Sequence, residues 1–167
     1  GLEVISSHHT TGVIHNSKGT LLNDWEKSVE DLHFIGSEYM VCSYLFEEER
    51  TLEYYKKLPQ LLNKSGETTN EAEIAFAYHN HDFEFEKFDD KTVYDFILDN
   101  TDSDLVNMEL DLYWISKAGF NPLTYFEKYP KRFPLWHVKD MKAGNKDFTE
   151  VGNGTINFKT IFEAKEI

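Results

Sequence analysis

The sequence predicts an α/β fold of the (β/α)8 barrel type, incomplete in this chain. Three observations lead there. Short β-branched or aromatic runs at residues 2–6, 39–44, 74–78, 105–112 and 133–138 alternate with segments of helical spacing. Strand starts about 30 residues apart match a βα unit, and near-continuously apolar strands mark a parallel sheet covered by helices. No Gly-x-Gly-x-x-Gly follows the first strand and no Gly-Lys-Ser/Thr loop occurs, so the phosphate-cradling signatures of open sheets are missing. A whole barrel takes about 250 residues, and these 167 hold five strands and a closing segment. With no internal boundary visible, residues 1–167 are expected to form a single domain.

Taken in order, the first strand opens the chain at Gly1-Leu2-Glu3-Val4-Ile5-Ser6-Ser7. No stretch has the layout of a signal peptide, and an opening directly on a strand is expected where an N-terminal segment has been removed or not included. Asn23 is placed to cap the first helix, which presents Trp25, Val29 and Leu32 on one face and ends at Gly36. The second helix starts in the acidic turn Glu47-Glu48-Glu49, expected to be solvated, and runs through Leu52, Tyr55, Leu58 and Leu62, with Pro59 kinking or splitting it. Lys64 to Glu71 is the one linker-like stretch, and it also suits a helix end. Asp89-Asp90 reads as a turn, and shorter helices are expected at residues 93–98 and 123–128, the latter opened by Asn121-Pro122. Cys42 lies in Tyr39-Met40-Val41-Cys42, a buried strand, and a lone cysteine leaves the compartment open between cytoplasm and bacterial periplasm.

Composition excludes several classes. With 40% apolar and 15% aromatic residues the chain has mass for a core, and no apolar run approaches the roughly 20 residues of a membrane span. Thirty acidic against seventeen basic residues give a net charge of −13, which repels the backbone on which nucleic-acid affinity depends. The string His79-Asn80-His81 spells HNH, but in those nucleases the three letters are scattered through a ββα motif, and the charge argues against it too.

Active sites of parallel barrels sit at the carboxyl ends of the strands. Four runs end in polar groups: Ser6-Ser7-His8-His9, Tyr78-His79-Asn80-His81-Asp82-Phe83-Glu84, Glu109-Leu110-Asp111-Leu112-Tyr113-Trp114 and Trp136-His137-Val138-Lys139-Asp140. Histidine, carboxylate and lysine converging at one mouth suit a divalent cation and proton transfer. His79 and His81 alternate and so face one side, as do Glu109 and Asp111, and His137 and Lys139. Two carboxylates on one buried face need a cation or hydrogen bonds to compensate. His15 and His33 lie off the strand ends and read as structural.

In the order given, the runs Gly1 to His8, Tyr78 to Phe85, Glu109 to Trp114, His137-Val138-Lys139-Asp140-Met141 and Glu150-Val151-Gly152-Asn153-Gly154 together resemble the xylose isomerase-like TIM-barrel family of sugar phosphate isomerases and epimerases. The resemblance spans almost the whole chain. It implies that the sequence begins at the second barrel strand and stops in the helix before the eighth. It also implies a divalent ion, often manganese, zinc or cobalt, with Asp111 and His137 as ligands, His79, His81 or Glu84 in the place of the first, and no counterpart of the fourth.

The reaction implied is a metal-dependent isomerisation or epimerisation of a sugar through an enediolate. Glu84, His81 and Lys139 are the candidate catalytic groups, Lys139 for the developing oxyanion. His8, His79, Glu109 and Trp114 are the candidate substrate contacts, Trp114 by stacking or else by packing in the barrel. The Glu150 to Gly154 segment is read either as a donor of backbone N–H groups to substrate or as a plain turn. A lyase or hydrolase on a keto-sugar or glycoside, and a non-catalytic sugar binder, are the alternatives, with endonuclease IV-like repair last. The expected partner is a small carbohydrate, and open sheet edges make a homo-oligomer the expected assembly.

Overall fold

The computed structural model describes residues 3–164. Along the chain run β1 (Ser6–Thr10), α1 (Trp25–Phe34), β2 (Tyr39–Tyr44), α2 (Leu52–Glu71), β3 (Ala75–His79), β4 (Lys87–Phe88), β5 (Lys91–Thr92) and α3 (Val93–Asn100). Then come β6 (Val106–Asp111), α4 (Leu112–Lys117), α5 (Pro122–Lys128), β7 (Leu135–His137), β8 (Asp140–Met141), β9 (Phe148–Thr149) and α6 (Phe158–Glu163). The described residues fold into two compact units: residues 3–79 with 95–107, and residues 80–94 with 108–164.

In the first unit β1, β2 and β3 pair in parallel, with Ser6 opposite Tyr39 and Tyr39 opposite Ala75. Met40, Val41, Cys42, Phe76, Ala77 and Tyr78 are buried on these strands, the continuous burial that a sheet covered on both faces requires. Trp25 of α1 is buried edge-on to Phe76 and donates its indole N–H to the Ser65 carbonyl of α2 at 3.3 Å. Gly66 of α2 faces the Leu105 carbonyl so closely that a β-carbon would overlap it, hence glycine there.

Several expectations are corrected. The first strand is not residues 2–6 but the polar run Ser6–Thr10, because β2 supplies the backbone partners there and Val4 and Ile5 are exposed; Leu2 lies outside the described residues. His8 and His9 are therefore inside β1 rather than beyond its end. Asn23 does not cap α1; its amide binds the Asn16 carbonyl, and the helix starts after Asp24, which has φ of 62°. Glu47–Glu49 forms a separate 3₁₀ turn, and Glu49 is buried rather than solvated, accepting from the Thr11 hydroxyl and from the Phe46 N–H. Thr51 caps α2 through Tyr54 N–H, and the helix runs unbroken through Pro59 and the linker-like stretch. Burial of Leu58, Leu62, Ser65, Gly66 and Thr69 along one face outweighs the hydrogen bond that proline removes.

His9 carries a pH consequence. Its Nδ1 donates to the Gly19 carbonyl at 2.8 Å, which leaves Nε2 to accept from the Ser7 hydroxyl at 2.8 Å, and the ring packs edge-on to Trp25. Burial pushes its pKa down, the Gly19 bond opposing this and His8 adding to it. The unfolded chain then binds a proton that the folded chain refuses, so stability falls as pH drops below about 6.5 toward the folded value. We expect urea midpoints to fall between pH 7.5 and 5, with a shallower slope in His9→Gln; an unchanged slope in the variant would refute the assignment.

In the second unit the Glu109–Asp111 part of β6 pairs in parallel with β7, placing Glu109 opposite Leu135 and Asp111 opposite His137. β4 with β5 and β8 with β9 form short antiparallel hairpins, the first turning at Asp89-Asp90 as expected. Asn121 caps α5 through Leu123 N–H with Pro122 at the first helical position, also as expected. Phe85, Tyr94, Leu110, Leu112, Ile115, Tyr125 and Phe126 form the core of this unit. Among the described residues no helix is long and apolar enough to cross a membrane.

Candidate active site

β6 is apolar at Val106, Met108 and Leu110, so its end is drawn into the core, and Asp111 goes with it to 0% exposure. A buried carboxylate must be compensated on both oxygens. Oδ1 accepts the backbone N–H groups of Tyr113 at 3.0 Å and Trp114 at 2.9 Å, capping α4, which begins at the very next residue. The Asp111 backbone N–H is donated to Asn80 Oδ1 at 2.9 Å, so Asn80 of the HNH string holds the strand end in place. Oδ2 faces two cation-forming groups: Lys139 Nζ at 2.8 Å and His137 Nδ1 at 3.4 Å.

Trp114, the third residue of α4, carries charge around its ring. Lys117 Nζ lies over the indole at 4.4 Å and Lys139 Nζ at 5.4 Å, while His81 packs against it at 5.1 Å and stacks on Phe83. Lys117 is paired with Asp82 at 3.1 Å. The Trp114 indole N–H is buried with no hydrogen-bond partner among the described residues. Tyr113 donates its hydroxyl to the Lys146 carbonyl, and burial raises its pKa.

The other candidates fall as follows. Glu84 is fully buried in the turn after β3, and its Oε2 accepts the His81 N–H at 2.7 Å. Glu109 is buried on β6. In the first unit His79 is buried at the end of β3 and lies 5.5 Å from the exposed ring of His8. The Gly152 and Gly154 N–H groups do not serve a substrate. With those of Met141 and Ile156 they are donated to the buried carboxylate of Asp140, at 2.8–3.1 Å, and a β-carbon on Gly154 would overlap that carboxylate. His15 packs edge-on to Phe46, and the exposed His33 bonds the Ala72 carbonyl through Nδ1.

Asn80, Lys117 and Asp82 belong to this site without having been singled out. α4 was the missing signal: once a helix is seen to start after Asp111, Lys117 falls one turn from Trp114. The donor set fits a divalent ion. Two ligand atoms each about 2.1 Å from a tetrahedral ion lie about 3.4 Å apart, and Asp111 Oδ2 and His137 Nδ1 have that separation and the oxygen and nitrogen chemistry such ions take.

The profile of the family described as "Xylose isomerase-like TIM barrel" matches residues 1–164. A sugar phosphate isomerase/epimerase from Parabacteroides distasonis has a similar structure, with TM-score 0.80 and 32% identity over 98% of this chain and 59% of that one. Inosose dehydratase of Clostridium beijerinckii is 28% identical over 137 residues, 72% of this chain and 44% of that protein. Inosose dehydratase of Bacillus thuringiensis is 25% identical, covering 96% and 64%. The chain thus spans less than two thirds of the length of each of these relatives.

Proposed function

We propose that this chain, which belongs to the xylose isomerase-like TIM barrel family, holds a divalent ion at Asp111 and His137 and moves a proton at the carbon next to a carbonyl of a small carbohydrate, as a sugar isomerase or epimerase does. One observation carries the reading: a fully buried carboxylate at a strand end, capped by a helix on one oxygen and flanked by imidazole and ammonium on the other. An ion such as manganese, zinc or cobalt would supply Lewis-acid polarisation of the carbonyl and its neighbouring hydroxyl.

The chain's own groups do the rest. His81, against the Trp114 ring, takes the proton from carbon and returns it to the neighbouring carbon or the opposite face. Glu84, bonded to the His81 backbone N–H, fixes the turn on which that imidazole stands. Lys139 balances the negative charge that develops on the enediolate oxygen, and Trp114 covers the apolar face of the sugar. Glu109 is assigned to a substrate hydroxyl.

A second reading is favoured by the relatives named inosose dehydratase. A dehydratase begins with the same proton abstraction, after which the C–O bond on the next carbon breaks and the hydroxyl leaves as water. Incubating the full chain with manganese and a panel of keto-sugars, aldo-sugars and inososes in heavy water separates the two. We expect NMR to find deuterium beside the carbonyl in a sugar of unchanged formula. Loss of water to an ultraviolet-absorbing enone would move the assignment to the lyase, and no exchange with any member would overturn both.

A further inference from the structure

Asp111 Oδ2 is the oxygen left over once Oδ1 is committed to the Tyr113 and Trp114 N–H groups, and Lys139 Nζ already stands against it at 2.8 Å. A divalent ion ligated by Oδ2 would come within about 2.1 Å of that oxygen, into the space the ammonium fills, and two cations so close repel strongly. The two cannot share the oxygen. The lysine has somewhere to go, because its ammonium lies over the faces of Trp114 at 5.4 Å and Tyr113 at 5.8 Å on a flexible stem, half-buried at 27% side-chain exposure.

We infer that Lys139 is the resident counter-ion of Asp111, and that a divalent cation arriving at Asp111 displaces its ammonium toward the Trp114 and Tyr113 ring faces, where it is free to meet negative charge on a substrate. The inference rests on the reading that Asp111 and His137 hold a divalent ion. It adds an order of events: metal first, then a charged lysine released from its ion pair. Without metal the ammonium is held in its ion pair with Asp111, so the anion-binding capacity of the site is switched on by metal loading.

The test is a Mn²⁺ titration of the full chain followed by electron paramagnetic resonance, in wild type, Lys139→Met and Asp111→Asn, with thermal midpoints measured with and without Mn²⁺. With the competing ammonium gone from Oδ2, Lys139→Met is expected to bind Mn²⁺ about tenfold tighter than wild type. Its metal-free midpoint should fall and its gain on adding Mn²⁺ should be the larger. Asp111→Asn is expected to bind none. Equal or weaker binding by Lys139→Met, with binding still lost in Asp111→Asn, would overturn the inference and leave the metal site standing. Failure of both wild type and Lys139→Met to bind Mn²⁺ would overturn the metal site and the inference with it. Should Lys139→Met not fold, wild-type protein carrying ¹³C-dimethylated lysines answers the same question. The Lys139 resonance should move as Zn²⁺ is added, and a resonance that stays fixed while zinc binds refutes the displacement.

Discussion

Asp111→Asn is expected to lose divalent-cation binding and to lower kcat/KM by on the order of a thousandfold or more, while keeping most of the stability of the protein. Asparagine is as good a helix cap as aspartate, so the Tyr113 and Trp114 N–H groups keep an acceptor and α4 keeps its start. What disappears is the negative charge facing His137 and Lys139. Asp111→Ala removes the cap as well, and should be less stable than Asp111→Asn by about 1–2 kcal/mol. Elemental analysis, turnover and urea unfolding of the three proteins check this together. If alanine and asparagine variants unfold at the same midpoint, the capping role is wrong; if Asp111→Asn still carries metal and turns over substrate, the site is.

Asp140→Ala is expected to cost about 2–4 kcal/mol, because one buried carboxylate accepts four backbone N–H groups and hydrogen bonds to a charged acceptor are among the stronger ones. Gly154→Ala should do comparable harm by pushing a methyl group into the same carboxylate. Burial works to raise the Asp140 pKa, yet the N–H groups of Ile156, Met141, Gly154 and Gly152 outweigh it and hold the carboxyl below the ordinary value. The folded protein therefore binds this proton less readily than the unfolded one. The stabilisation is present in full above about pH 4 and fades as pH falls through the folded value. Hydrogen exchange should show Gly152, Gly154 and Ile156 losing protection in Asp140→Ala at neutral pH. Retained protection there would mean that other contacts hold the turn.

β2, β3, β6 and β7 were legible from their apolar runs, nearly unbroken in β2 and β3 because those strands are buried, and residues 39–44 match β2 to the residue. β1 was displaced because its pairing rests on backbone groups, and its Ser6-Ser7-His8-His9 side chains carry no apolar mark. α4 was invisible for the opposite reason. Leu112, Tyr113, Trp114 and Ile115 look like more strand, and only the Asp111 side chain turning onto its own successor residues decides for helix. At the site, Asp111, His137 and Lys139 could be picked out as polar residues ending apolar runs, and the structure does bring these three together. The glycines after Glu150 could not be read the same way, since a glycine N–H gives no hint of its acceptor, and Asp140 lies twelve residues before Gly152.

Because α4 starts on the residue after Asp111, no loop separates the end of β6 from the helix, and the carboxylate has no slack. Its χ angles are held by two N–H groups that belong to the helix itself, and its backbone by Asn80. Ordering a free side chain on binding costs roughly 0.5–1.5 kcal/mol, and here that entropy is already lost when the protein folds. A ligand meeting Oδ2 finds an oxygen whose direction is a property of the strand-to-helix junction. An insertion of even one residue between β6 and α4 would give that freedom back, weakening binding without changing any residue that touches the ligand.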